Sequence, residues 1–154
     1  MGKKKVLFVC VHNSARSQMA EAFLKKYGGE TFDVESAGIE PGKLNPVVID
    51  AMKEIGIDIS KNQTKSAFDF IKQGKWFNYV ITVCDETSGE RCPIFPGIVK
   101  RLHWTFDDPS SFAGSYEDKL NNTRVVREAV KSMIIEFIKE ESEALYKLRE
   151  SKSV

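Results

Sequence analysis

Short apolar runs alternate with longer amphipathic stretches along this chain. That alternation predicts βα units wound into a parallel sheet covered on both faces. Lys5 to Cys10 reads as a buried first strand, and Ser14 to Tyr27 as the helix after it, with Met19, Ala22 and Phe23 on its apolar stripe and Gly28-Gly29 as its stop. A second strand is predicted from Phe32 to Ser36, followed by a loop from Gly38 to Gly42 around Pro41. Asn45-Pro46 opens a helix through Val47, Val48, Ala51, Met52 and Ile55 that ends at Gly56, because proline suits a first helical turn. A short helix over Ser66 to Gln73 precedes Asn78 to Cys84, an apolar run of strand length suited to a central place in the sheet. After a loop from Asp85 to Gly97, Lys100 to Trp104 supplies one more strand, and Asp107 to Ser115 is loop again. From Tyr116 to Leu148 one long helix is expected, with Val125, Val126, Ala129, Met133, Ile134, Phe137 and Ile138 at helical spacing and charged last turns reaching into solvent.

A length of 154 residues with 42% hydrophobic composition suits one core and one globular domain, ending in a polar tail. The run Val6 to Val11 after Lys3-Lys4-Lys5 is shorter than a signal-peptide core and lacks a small-residue cleavage site, so a strand is the better reading. No segment approaches the roughly 20 apolar residues that span a bilayer. A net charge of +1 gives no reason to expect nucleic acid or an anionic membrane as partner. Three cysteines, Cys10, Cys84 and Cys92, form no small disulfide framework and lack the paired spacing of a zinc site; the two histidines, His12 and His103, lie far apart. Reduced thiols in a cytoplasmic monomer are therefore the expectation.

The chemistry concentrates where the first strand enters the first helix. Over Cys10-Val11-His12-Asn13-Ser14-Ala15-Arg16-Ser17, backbone N–H groups at the helix start and the helix dipole make an oxyanion site. The same field favours the thiolate form of Cys10. Arg16 can fold back and grip two oxygens with its planar fork, and Ser17 is placed to donate a hydrogen bond to the Cys10 sulfur. A thiolate below a pocket for oxygens suits in-line displacement at a tetrahedral centre. The departing oxygen needs a proton, and Asp107 and Asp108, in Phe106-Asp107-Asp108-Pro109, are the best carboxylic acids for it. Cys84, at the end of a strand parallel to the first, should emerge at the same sheet edge as Cys10, with Cys92 across a loop containing Gly89.

These residues resemble a known family. Cys10-x5-Arg16-Ser17, Ser36-Ala37-Gly38 and Asp108-Pro109 look like the low-molecular-weight protein tyrosine phosphatase family over nearly all of residues 5 to 140. Glu35 to Glu40, Asn45-Pro46, Met52 to Ser60, Thr82 to Asp85, Cys92-Pro93 and His103 to Pro109 resemble its arsenate reductase branch. The resemblance implies a three-layer α/β/α fold with a four-stranded parallel sheet in order 2-1-3-4. It also implies that Cys10 attacks arsenate, Asp108 protonates the leaving hydroxyl, Cys84 attacks Cys10 to release arsenite, and Cys92 resolves that disulfide for reduction by thioredoxin. Some members bind potassium, and Asn13, Glu21 and Ser36 match the side chains expected there. Two departures stand out: His12 replaces the usual glycine, and Ala15 a frequent cysteine. The alternative reading is a phosphatase for phosphotyrosine or small phosphomonoesters that uses Cys10, Arg16 and Asp108 alone. Ser110 and Ser111, where that branch usually carries tyrosines, argue against a phosphotyrosine specialist. A non-catalytic anion-binding or thiol-sensing protein is the third reading.

Overall fold

Strands β1 (Lys4–Cys10), β2 (Phe32–Gly38), β3 (Tyr79–Thr82) and β4 (Lys100–His103) lie parallel in the order β2-β1-β3-β4, as the family resemblance implies. The computed structural model describes residues 2–83 and 93–152, so Cys84, Cys92 and the expected loop between them lie outside the described residues. β1 explains why its sequence is continuously apolar rather than alternating. Its pleat sends Val6, Phe8 and Cys10 into one core and Leu7 and Val9 into another. The first core lies under α1 (Arg16–Gly28) and α4 (Tyr116–Lys152), through Met19, Phe23, Val130, Ile134 and Phe137. The second lies under α3 (Ala67–Lys72), whose Ala67 and Phe70 meet Phe77, Val80 and Phe95. Cys10 thus ends an interior strand and is only 3% exposed.

Local signals set most boundaries. Asn45 caps α2 (Pro46–Lys53), its side-chain oxygen accepting from the amides of Val47 and Val48, with proline in the first turn. Ser66 caps α3 in the same way through Asp69 N. α1 starts at Arg16 rather than at Ser14, for a reason that belongs to the site below.

The long helix corrects one expectation. Leu120, Thr123, Val126, Val130, Ile134 and Phe137 form its buried row. Val125, Ala129 and Met133 face solvent instead, Val125 being 70% exposed. Both rows have helical spacing, but residues one position apart stand about 100° apart around a helix. Packing against α1 and α2 admits only one of them. At the far end Tyr79 donates its hydroxyl to Glu141, whose carboxylate also lies 3.8 Å from Lys100 Nζ. Burial and the Glu141 charge push the Tyr79 hydroxyl's pKa up. Among the described residues, no helix is long and apolar enough to cross a membrane.

Two features of α4 give predictions. Glu54, at the end of α2, accepts from Arg124 Nε at 2.9 Å and from Arg127 Nη1 at 2.9 Å. The Arg124 hydrogen bond leads in lowering its carboxyl pKa from 4.5 to about 2, with the Arg127 bond and both positive charges acting the same way. A lowered native pKa contributes stability above the unfolded value that is lost as the proton goes on. The Glu54→Gln variant should therefore melt below the parent at pH 7, and the gap should close as pH falls from 4.5 towards about 2. A gap independent of pH in that window would refute the assignment. Thr123 is fully buried, and its hydroxyl has no hydrogen-bond partner among the described residues. Replacing it by the isosteric apolar side chain, Thr123→Val, should stabilise the fold by about 1 kcal/mol and raise Tm by about 3 °C, read by calorimetry.

Candidate active site

The loop leaving β1 is shaped by what its carbonyl oxygens bond. Cys10 O accepts from Ile39 N at 3.1 Å, Val11 O from Glu40 N at 2.7 Å, His12 O from Gly42 N at 3.0 Å and Ser14 O from Asn45 N at 2.9 Å. All the described peptide bonds are trans, so each carbonyl turned towards segment 39–45 sends the next residue's N–H the other way. The amides of Val11, His12, Asn13 and Ala15 therefore face away from that segment. The Asn13 amide shows it directly, donating to Cys10 Sγ at 3.1 Å. Because these carbonyls serve segment 39–45, they make no helical i to i+4 bonds, and α1 begins only at Arg16, with Ala15 at φ −143° before it.

Such proximity requires a bare backbone on the neighbouring strand. The register pairs Cys10 with Gly38, and a Cβ on Gly38 would lie 2.9 Å from Asn13 N, His12 C and Val11 O. The glycine of Ser36-Ala37-Gly38 is thus the floor on which the loop rests. The conformational demand of the loop falls on Asn13, at φ 55°, rather than on His12. Asparagine tolerates the left-handed region better than most side chains. His12 instead lays its ring over the same segment: Nδ1 lies 2.8 Å from Glu40 O, and since a carbonyl only accepts, Nδ1 is the donor.

Two donors converge on the sulfur. Asn13 Oδ1 accepts from the backbone amide of Lys65 at 3.0 Å, which fixes Nδ2 on the opposite side, where it donates to Ser17 Oγ at 2.7 Å and Ser36 Oγ at 2.9 Å. Ser17 Oγ accepts from Asn13 and lies 2.8 Å from Cys10 Sγ, to which it donates when the sulfur is a thiolate. An O–H and an N–H are thus placed on one sulfur.

Arg16, 4% exposed, carries the loop to the opposite wall. Its Nη1 donates to Phe106 O at 3.2 Å, and Nη2 lies 3.5 Å from Asp108 Oδ2. Asp108 Oδ1 accepts from Ser110 N at 2.9 Å, capping the 3-10 turn Pro109–Ser111. Of the two candidate acids, Asp108 faces the arginine, whereas Asp107 is exposed to solvent. The structure thus brings together Cys10, Arg16, Ser17 and Asp108, with Val11 to Ala15 as the loop between them. On the third strand the described chain runs beside β1 to its end, Val83 N donating to Val9 O at 2.9 Å.

Asn13, Glu21 and Ser36, which match the side chains expected near potassium, each have a protein partner in this structure. Asn13 gives its oxygen to Lys65 N and its nitrogen to Ser36, and the buried Glu21 pairs with Lys25 Nζ at 3.6 Å. Burial pushes the Lys65 ammonium pKa down, and Glu21 is the leading charge opposing that shift. Among the described residues no group of three His, Cys, Asp or Glu could hold a metal ion. Sequence reasoning missed Gln18, Asn62 and Lys65 as supports of the loop. The first two are amides outside any motif, and Lys65 acts through its backbone; no spacing rule points to them.

A parallel α/β sheet whose edge holds a buried thiol in a loop closed by an arginine and faced by a carboxyl defines an oxyanion-handling thiol enzyme fold. The chain belongs to the low molecular weight phosphotyrosine protein phosphatase family, whose model matches residues 5–147. It is 44% identical over 139 residues to an arsenate reductase of Oceanobacillus iheyensis, an alignment covering 90% of this chain and 98% of that one. Among solved structures it is similar to an arsenate reductase in the phosphate binding state, at TM-score 0.71 and 32% identity over 89% of this chain and 98% of that chain. It is also similar to a thioredoxin-dependent arsenate reductase of Corynebacterium glutamicum, at TM-score 0.69 and 29% identity over 92% of this chain and 63% of that chain.

The close approach at Gly38 can be tested. Gly38→Ala sets a methyl against loop backbone, and overpacking of this kind costs about 2 kcal/mol. Inorganic phosphate should protect Cys10 from iodoacetamide in the parent and about tenfold less well, or worse, in the variant. Equal protection in both would mean that the loop does not depend on this contact.

Proposed function

We propose that this chain is an arsenate reductase working through three thiols. The observation that carries the reading is the pair of donors on Cys10 Sγ, Asn13 N–H and Ser17 O–H, within a loop whose amides face away from segment 39–45. A thiolate so held attacks the arsenic of bound arsenate. Asp108, in its protonated form, gives the departing oxygen a proton, so that water leaves and a Cys10 thioarsenate remains. Arg16 holds the equatorial oxygens and neutralises their charge. The Cys84 thiolate then attacks the Cys10 sulfur. A Cys10 to Cys84 disulfide forms, and the electron pair of the S–As bond passes to arsenic, which leaves as arsenite. Cys92 attacks Cys84, frees the Cys10 thiolate, and leaves a Cys84 to Cys92 disulfide that takes two electrons from thioredoxin.

The names of the relatives support this substrate, and the reductant is supported by the thioredoxin-dependent neighbour. The reading places the protein in a reducing cytoplasm, where all three thiols start reduced. Phosphate ester hydrolysis by Cys10, Arg16 and Asp108 alone is a second reading, favoured by the Arg16–Asp108 approach, which sets an anion-binding group beside an acid without calling on Cys84 or Cys92.

The test is arsenate-dependent NADPH oxidation in the presence of thioredoxin and thioredoxin reductase, with para-nitrophenyl phosphate hydrolysis measured alongside. Turnover should disappear in Cys84→Ser and in Cys92→Ser while ester hydrolysis persists. Ester hydrolysis without any arsenate turnover in the parent would make the chain a phosphatase.

A further inference from the structure

Gln18 lies in the first turn of α1 and is fully buried. Its side-chain amide has four partners. Nε2 lies 3.1 Å from Asn13 O, 3.1 Å from Asn13 Oδ1 and 3.1 Å from Gln63 O, while Oε1 accepts from Asn62 Nδ2 at 3.1 Å. Acceptors around one end and a donor at the other leave a single orientation for this amide. It therefore bridges the oxyanion loop and the segment 62–65.

The reason for a buried amide here lies in Asn13. At φ 55° its carbonyl turns to Gln18 while those of Cys10, Val11, His12 and Ser14 go to segment 39–45. A non-glycine residue pays about 1 kcal/mol or more for that conformation, and the buried carbonyl it creates must find a donor. Gln18 is that donor. It also shares Asn13 Oδ1 with Lys65 N, and so helps to hold the Asn13 nitrogen towards Ser17 and Ser36.

We propose that Gln18 is a positioning residue for the thiol of Cys10. It acts through Asn13, keeping the Asn13 backbone amide on the sulfur and the Asn13 side-chain nitrogen on Ser17 Oγ, which leaves the Ser17 proton free for the sulfur. Each group in the series Gln18, Asn13, Ser17, Cys10 meets the next through a hydrogen bond. The anchor of the series is Asn62, which touches Gln18 Oε1 and keeps that amide from turning over. The proposal rests on the reading of Cys10 as the nucleophile of an anion site.

The experiment uses the full chain carrying Cys84→Ser and Cys92→Ser, so that Cys10 is the only thiol. Into it go Gln18→Leu, which removes the donors, Gln18→Glu, which sets a carboxylate against three acceptors, and Asn62→Ala. Three quantities are read: the rate of Cys10 alkylation by iodoacetamide at pH 7, protection of Cys10 by inorganic phosphate, and Tm. Both Gln18 variants should alkylate about tenfold more slowly or worse, the loss of roughly one hydrogen bond's worth of thiolate stabilisation, and phosphate should protect them less. Asn62→Ala should show the same two changes at smaller amplitude. Folding damage alone would lower Tm and leave both thiol readouts unchanged in protein kept well below it. Alkylation and phosphate protection within twofold of the parent in folded Gln18→Leu and Asn62→Ala would overturn the proposal. A parent whose Cys10 phosphate does not protect would overturn the anion-site reading, and the proposal with it.

Discussion

The hydrogen bonds from Ile39, Glu40, Gly42 and Asn45 to the carbonyls of Cys10, Val11, His12 and Ser14 are what the rest of the site depends on. A chain leaving a buried strand for a helix could turn its peptide groups either way. Once the oxygens are taken by segment 39–45, the trans geometry of the peptide turns the amides away from it, and that of Asn13 meets the Cys10 sulfur. The side chains then act on a prepared surface. Ser17 and Asn13 meet the Cys10 sulfur, and Arg16 links the loop to Phe106 and Asp108.

That constraint reaches back into the sheet. Segment 39–45 can serve the loop because β2 runs parallel to β1 in register to its last residue, bringing Gly38 against Cys10. The absence of a side chain there lets two backbones approach more closely than any Cβ would allow. The segment's far end is Asn45, which donates to Ser14 O, caps α2, and reaches Ser110 beside the Asp108 turn. One asparagine thus holds the loop, a helix and the acid-bearing turn in mutual register. The order of the loop comes from backbone bonding, whereas the side-chain ion pairs among the described residues lie mostly at the surface, where such pairs contribute little.

The His12 departure also finds a place in this scheme. A glycine is needed only where φ is positive or a Cβ has no room. The turn in this loop is made by Asn13, so His12 is free to carry a side chain and uses it to bind Glu40 O. The same segment that receives the His12 carbonyl thus receives its ring.

Much of this was legible in the sequence, and the parts that were share a physical character. The continuous apolar run of β1, the proline and asparagine opening α2, and the Cys10 to Arg16 spacing are local patterns whose consequence does not depend on what lies across the molecule. Segments separated by more than 40 residues were harder. Val125, Ala129 and Met133 have the same spacing as Val126, Val130 and Ile134, and only the position of α1 and α2 decides which row is buried. Asp107 and Asp108 are equal as a sequence pair, and only the approach of Arg16 separates them. Gln18, Asn62 and the Lys65 amide support the loop through contacts spanning 44 to 52 positions, which no periodicity encodes. By itself the sequence determined the elements, the place of the Cys10 loop and the family. The tertiary structure decided which of several equivalent side chains serve that loop, because hydrogen bonds and burial depend on distances that chain order does not specify.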